Sequence, residues 1–223
     1  MIRITNLRKV VTSFAMFAIV ALGSAAAANA DSVTFQLNTG SSLPDQNYGS
    51  VSLLLNGDGT ITTTINLING NRAIQTGQDA SVGFNSSVFP NPTIAETGLA
   101  PGYFLENFGV PGIVHMDGFG NYEYGIGSVS GANDPNALSN LVFTLSTPGG
   151  FSSVFDLVEN STGGGLASPF VVDIFCPTCA AGAQTGFVGT TTQTNTVPEP
   201  TSMLLLGTGL VGMASAVRRR LKK

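Results

Sequence analysis

Between residues 31 and 189 the apolar residues come in runs too short and too regularly interrupted to make anything but strands. Val33-Thr34-Phe35-Gln36-Leu37 alternates with period two, as a strand with one buried face does. Residues 51–55 and 61–67 flank Asn56-Gly57-Asp58-Gly59-Thr60, a hairpin signature, because Asn-Gly and Asp-Gly tolerate the positive φ angles such turns need. Further strand candidates are 81–84, 102–105, 121–126, 141–146, 170–175 and 185–188. Phe170-Val171-Val172-Asp173-Ile174-Phe175 is the most continuously apolar and reads as central, with Asp173 turned toward an edge, a turn or a ligand. A short helix is suggested near 152–158. About nine strands in one domain predict an all-β fold, a single antiparallel β-sandwich of jelly-roll type over 31–189. Residues 190–196 contain only Thr, Gln and Asn and read as a flexible linker.

The two ends have a different composition. Arg3, Arg8 and Lys9 precede an apolar stretch over 10–22, and Ala28-Asn29-Ala30 forms an A-x-A site before Asp31. That is a secretory signal peptide over 1–30, with a retained N-terminal anchor as the alternative. At the other end Val197, Pro198, Glu199 and Pro200 lead into an uncharged apolar stretch, 201–217. As a helix it would be about 26 Å long, just under a bilayer core. Arg218, Arg219, Arg220, Lys222 and Lys223 then form a basic stop. Proline cannot continue a backbone ladder, so the entrance leaves an extended segment on which a protease can act. A permanent C-terminal anchor is the alternative. Both basic clusters favour the cytoplasmic side, which places the intervening body across the membrane.

Removing the ends changes the charge. Twelve of the thirteen acids lie within 31–196, and Arg72 is the only Lys or Arg there, giving a body near −11 against −4 for the whole chain. A surface of that sign repels nucleic acid and anionic lipid, so nucleic acid is not expected as a partner.

The proline-framed break, apolar segment and basic stop over 197–223 resemble the PEP-CTERM signal of Gram-negative bacteria. The resemblance implies processing by a membrane protease of the exosortase family, after signal peptidase has removed the N-terminus. The body is similar to a β-rich group of exported PEP-CTERM proteins without established activity. That similarity rests on Gly59-Thr60-Ile61-Thr62, Val82-Gly83-Phe84-Asn85, the aromatic stretch 118–125, Pro169-Phe170-Val171-Val172-Asp173-Ile174, and Thr185-Gly186-Phe187-Val188-Gly189. It implies an architecture and no chemistry.

Few residues offer chemistry. Cys176-Pro177-Thr178-Cys179 matches C-x-x-C, but no βαβ pattern surrounds it. In an oxidising compartment the simplest reading is a disulfide between Cys176 and Cys179, with redox activity and metal ligation as alternatives. His115 is the only histidine, with Asp117 or Glu123 as an orienting carboxylate for any general base, or simply a polar group in a loop. No G-x-S-x-G elbow occurs. Asn56, Asp58 and Thr60 place side-chain oxygens at alternate positions of a Gly-rich turn, and Asn133 and Asp134 form a second oxygen-rich loop. Structural calcium at Asn56, Asp58 or Asp134 is therefore one reading, although the later glutamate of an EF-hand is missing and a plain hairpin turn explains the first loop equally well. Asn85-Ser86-Ser87 and Asn160-Ser161-Thr162 match N-x-[ST].

These observations predict an exported, exosortase-sorted surface or biofilm-matrix protein with a non-catalytic body and no cofactor. It is membrane-anchored by its C-terminal helix before processing, with extracellular polysaccharide as a partner. The alternatives are a carbohydrate-binding module stacking sugars on Tyr48, Tyr103, Tyr122 or Tyr124, and a glycan hydrolase on a jelly-roll scaffold. The absence of Trp counts against the first.

Overall fold

The computed structural model describes residues 31–76, 80–88, 95–107, 112, 114–131, 134, 136–180 and 184–194. The signal segment, residues 195–196, the sorting motif, the apolar C-terminal stretch and its basic stop lie outside the described residues, as does Asn133. Fourteen strands are described, and no α-helix. They are β1 (Ser32–Gly40), β2 (Gly49–Leu55), β3 (Ile61–Leu67), β4 (Arg72–Ala73), β5 (Val82–Phe84), β6 (Ala95–Thr97) and β7 (Tyr103–Asn107). The remainder are β8 (Val114–Met116), β9 (Gly120–Tyr122), β10 (Tyr124–Ser128), β11 (Asn140–Ser146), β12 (Thr162–Gly163), β13 (Phe170–Phe175) and β14 (Thr185–Thr194).

The expected sandwich of two sheets is corrected to one curled antiparallel sheet. Its order is β6-β11-β3-β2-β1-β14-β13-β5-β10-β7, with β4 added beside β13, eleven strands in all. The reason lies in β1, which pairs on both sides. Phe35 faces Val51 of β2 and also Gln193 of β14, so the hydrogen-bond ladder is unbroken where a sandwich or jelly roll would separate its sheets. The two wings curl round a shared core, to which β1, β2, β3 and β11 contribute from one side and β13, β5, β10 and β7 from the other. Aromatic rings cross that core. Phe35 lies 6.1 Å from Phe170, Phe170 lies 6.0 Å from Phe84, and Phe84 stacks on Tyr124 at 5.5 Å.

The period-two runs account for the first wing. Along β1 the buried residues are Val33, Phe35 and Leu37, and along β3 they are Ile61, Thr63, Ile65 and Leu67. The hairpin between β2 and β3 closes as its sequence demands. Asn56 N–H donates to the Thr60 carbonyl at 2.8 Å, and Gly59 takes φ +79°, where a side chain would be strained. The second wing differs because a three-stranded sheet, β12-β9-β8, covers part of its outer face. Val114, Met116, Phe119 and Tyr122 from that small sheet pack on Val171 and Phe187. Both faces of β13 are thereby buried, which explains its continuous apolarity and its central place between β14 and β5.

Three local readings change. Residues 121–126, taken as one strand, form two in different sheets, β9 and β10, parted at Glu123, whose N–H donates to Asn85 Oδ1 at 2.8 Å. The short helix near 152–158 is a single 3-10 turn, Val154–Leu157, closed by a capping box between Ser153 and Asp156. Residues 190–194, taken as linker, are the second half of β14 and pair with β1, Thr34 facing Thr194. Thr190 is fully buried, and its N–H donates to Ser168 Oγ at 2.8 Å. Composition misleads there because β-branched threonine suits a strand when a partner strand is available.

Gly189 of β14 sits under the ring of Phe119, where an added Cβ would lie 2.2 Å from Cε1. Gly189→Val should therefore lower stability by about 1–3 kcal/mol through overpacking, read as a fall in Tm. An unchanged Tm would mean that the small sheet lifts away without cost.

Candidate functional site

Asp31, which follows the expected cleavage site, is held in the described structure. Asp31, the first described residue, has its carbonyl paired with Leu55 N–H at 2.8 Å. Its Oδ2 accepts from Ser153 Oγ at 2.6 Å and from Val154 N–H at 3.2 Å, at the start of the 3-10 turn. Ala28 and Ala30 lie outside the described residues. The first and last described strands, β1 and β14, pair antiparallel.

Cys176 and Cys179 are joined by a disulfide, with S–S 2.04 Å, and no described cysteine is free. The bridge closes the turn that follows β13. Cys176 belongs to the main core, its N–H donates to the Gln184 carbonyl at 2.7 Å, and Gln46 Nε2 lies 3.6 Å from Cys179 Sγ. The bridge thus fixes the entry to β14.

The two oxygen-rich loops are not brought together. Asn56 and Asp58 sit at the turn before Ile61, whereas Asp134 lies beyond the other end of β3, where Leu67 N–H meets the Ser139 carbonyl. Each loop uses its oxygens internally. Asp58 Oδ1 accepts from Thr60 Oγ1 at 2.7 Å and from Thr60 N–H at 3.0 Å, and these bonds hold its carboxyl below the usual range. Asp134 Oδ1 accepts from Asn136 N–H at 2.8 Å, which lowers its carboxyl likewise. Asn56 Nδ2 donates to Thr60 Oγ1 and Thr62 Oγ1, both at 2.9 Å. Among the described residues no group of three or more His, Cys, Asp or Glu could hold a metal ion. These are the bonds of ordinary turns.

His115 projects from β8 into solvent. Its Nδ1 lies 2.8 Å from Asn121 Oδ1 and its Nε2 3.6 Å from Asp117 Oδ1. Of the two carboxylates considered for it, Asp117 is the one at hand. Glu123 instead accepts from Ser86 N–H at 3.3 Å, and burial, with a smaller contribution from the charge of Glu159, raises its carboxyl. The four tyrosines proposed to stack sugars are all buried, a correction to that version of a carbohydrate site. Tyr103 Oη donates to the Ala73 carbonyl at 2.8 Å, and Tyr122 Oη to the Ser168 carbonyl at 3.0 Å. Burial pushes the hydroxyl of Tyr122 upward and that of Tyr124 up to about 12. Their rings serve the core. The first N-x-[ST] asparagine, Asn85, is buried as well, its Nδ2 donating to the Asn160 carbonyl at 3.0 Å.

Asp173 is the one fully buried carboxylate among the described residues. Of an edge, a turn or a ligand, it faces the turn after β4. Its Oδ2 accepts from Thr76 N–H at 2.6 Å and from Thr76 Oγ1 at 2.7 Å, while Oδ1 has no hydrogen-bond partner among the described residues. Desolvation dominates the Thr76 bonds and pushes the carboxyl up to about 6. Sequence reasoning flagged the residue without finding its partner, because Thr76 is 97 residues away.

Residues 196–220 match the PEP-CTERM protein-sorting motif. The chain carries a PEP-CTERM sorting signal. That motif implies export, anchoring in the membrane before processing, and an exosortase as the processing partner. No curated protein and no solved structure shows significant similarity to the chain. Among the described residues no helix is long and apolar enough to cross a membrane; residues 201–217 are not among them.

Because the folded carboxyl of Asp173 titrates near 6 instead of 3.8, the folded state holds the extra proton between those values. Stability should therefore decline by up to about 3 kcal/mol as pH rises from about 4 to 6, then level off. Urea unfolding across that range should show the slope in the native protein and lose it in Asp173→Asn; equal slopes would place the ionisation elsewhere. Replacing both Cys176 and Cys179 with Ser should cost only about 1–3 kcal/mol, since so small a ring restricts little chain entropy. A loss of folding altogether would mean that the turn before β14 cannot form without the bridge.

Proposed function

We propose that the chain is an exported protein, sorted through its C-terminal signal by an exosortase, whose β-sheet body is a non-catalytic module of the cell surface or biofilm matrix. The match over 196–220 carries the sorting part of this reading. The non-catalytic part rests on the residues considered for chemistry. His115 is exposed on the small sheet, the cysteines are joined, and the oxygen-rich loops lie at opposite ends of β3.

Intact-mass spectrometry of material from the envelope or the medium tests the sorting. The principal species should begin at Asp31 and end near Pro198–Pro200. A stable full-length product, or one carrying the basic stop, would overturn processing at both ends.

A further inference from the structure

Asn-Gly occurs twice in the chain, at Asn56-Gly57 and at Asn69-Gly70, and the fold treats the two differently. Asn56 is half-buried, and its Nδ2 donates to Thr60 Oγ1 and to Thr62 Oγ1, both at 2.9 Å. Asn69 and Gly70 are exposed in the turn from β3 to β4. Neither the Asn69 amide nor the Gly70 N–H has a hydrogen-bond partner among the described residues. Asn69 is also the one non-glycine residue with positive φ among the described residues, at 58°, and Gly70 follows at 79°. With Asn71 N–H donating to the Ile68 carbonyl at 3.0 Å, these angles make a type I′ turn.

A main-chain nitrogen attacks the preceding asparagine's side-chain carbonyl only when the peptide plane between them turns that nitrogen over the side chain. For an L-residue this needs ψ of about −120°, the value at the first central position of a type II′ turn, which shares the positive φ already held by Asn69. Passing from type I′ to type II′ therefore flips a single peptide plane and keeps the turn closed. The flip moves Gly70 to negative φ, which glycine accepts as readily as positive. At Asn56 the same attack must first break both hydrogen bonds of the side-chain amide.

We propose that Asn69 is a self-modifying site, deamidating through a cyclic imide formed with Gly70. The Gly70 N–H gives its proton to hydroxide, its nitrogen bonds to Asn69 Cγ, and the side-chain amide leaves as ammonia after taking a proton from water. Water then opens the imide. Addition at Cγ breaks the new bond and leaves Asp; addition at the main-chain carbonyl breaks the original peptide bond and leaves isoaspartate, with the chain running through Cγ. Either product adds a negative charge to a body near −11, and isoaspartate lengthens the turn by one carbon. That turn is stitched to its surroundings. Ile68 N–H and Asn71 Nδ2 both donate to the Tyr48 carbonyl, at 3.0 and 3.3 Å. Pro177, inside the disulfide turn, has its Cγ 3.2 Å from where a Cβ on Gly70 would lie. In an exported chain the change accumulates with age, at the junction of β3 with β4 and beside the Cys176–Cys179 bridge.

The test incubates the exported protein in mildly alkaline buffer, folded and in urea, and follows both sites by peptide mapping with fragmentation that separates Asp from isoaspartate. In the folded protein Asn69 should convert at least about tenfold faster than Asn56, the factor set by the two hydrogen bonds that hold the Asn56 amide. In urea those bonds are gone, and the two sites should convert at similar rates. Thr60→Val combined with Thr62→Val should raise conversion of Asn56 toward that of Asn69 and leave Asn69 unchanged, with circular dichroism and Tm confirming the fold. Should that variant not fold, the comparison of folded with unfolded native protein decides alone. Equal rates in the folded protein, faster conversion at Asn56, or an intact Asn69 under conditions that convert the unfolded chain would each overturn the proposal. An unchanged Asn56 in the folded double variant would overturn the protection assigned to Thr60 and Thr62.

Discussion

The pairing of the first strand with the last holds the two halves of this molecule together. In the sheet, β2, β3, β11 and β6 lie on one side of the β1–β14 contact, and β13, β5, β10 and β7 lie on the other. No other strand pairing described connects the two wings. The aromatic contact of Phe35 with Phe170 depends on it, because those rings come from β1 and from β13, the strand beyond β14. Some register irregularity is tolerated, with shifts between Gln36 and Leu37 and between Leu37 and Thr39. Bulges of this kind increase local twist, and a strongly twisted centre suits a sheet whose wings must face each other.

Burial on both faces follows from the same arrangement and sets the body's polar chemistry. Once the small sheet covers β13 and β14, any polar group on that side must find a partner within the protein. Ser168 does so through Thr190 and the Phe170 carbonyl. Asp173 does so only in part, and its raised carboxyl is the physical record of that shortfall. The tyrosines are a related case. Each is bulky enough to fill a curled interior, and those of Tyr103 and Tyr122 keep their hydroxyls bonded to main-chain carbonyls. Residues that suggest a binding site in one dimension are here the material of the core.

Strand identity was readable where periodicity was long enough to be unambiguous. Ile61–Leu67 and Phe170–Phe175 coincide with their sequence boundaries, and the turn at 56–60 closes as Asn-Gly and Asp-Gly imply. Arg72–Ala73, Val114–Met116 and Thr162–Gly163 escaped notice, since two or three residues carry no period. The single sheet was unreadable for a different reason. Nothing in Val33–Leu37 states that the strand has a partner on each edge; that depends on residues more than 150 positions away. The sorting signal was legible because its parts are contiguous in the chain.

A sheet closed by its final strand also has a characteristic way of failing. Without residues 185–194, β1 and β13 would each present a bare edge of backbone donors and acceptors, spaced to receive one particular strand. Another copy's β14 fits that slot as well as the molecule's own. At high local concentration a chain clipped or delayed at this point would therefore exchange strands with its neighbour, converting an intramolecular closure into a domain-swapped link.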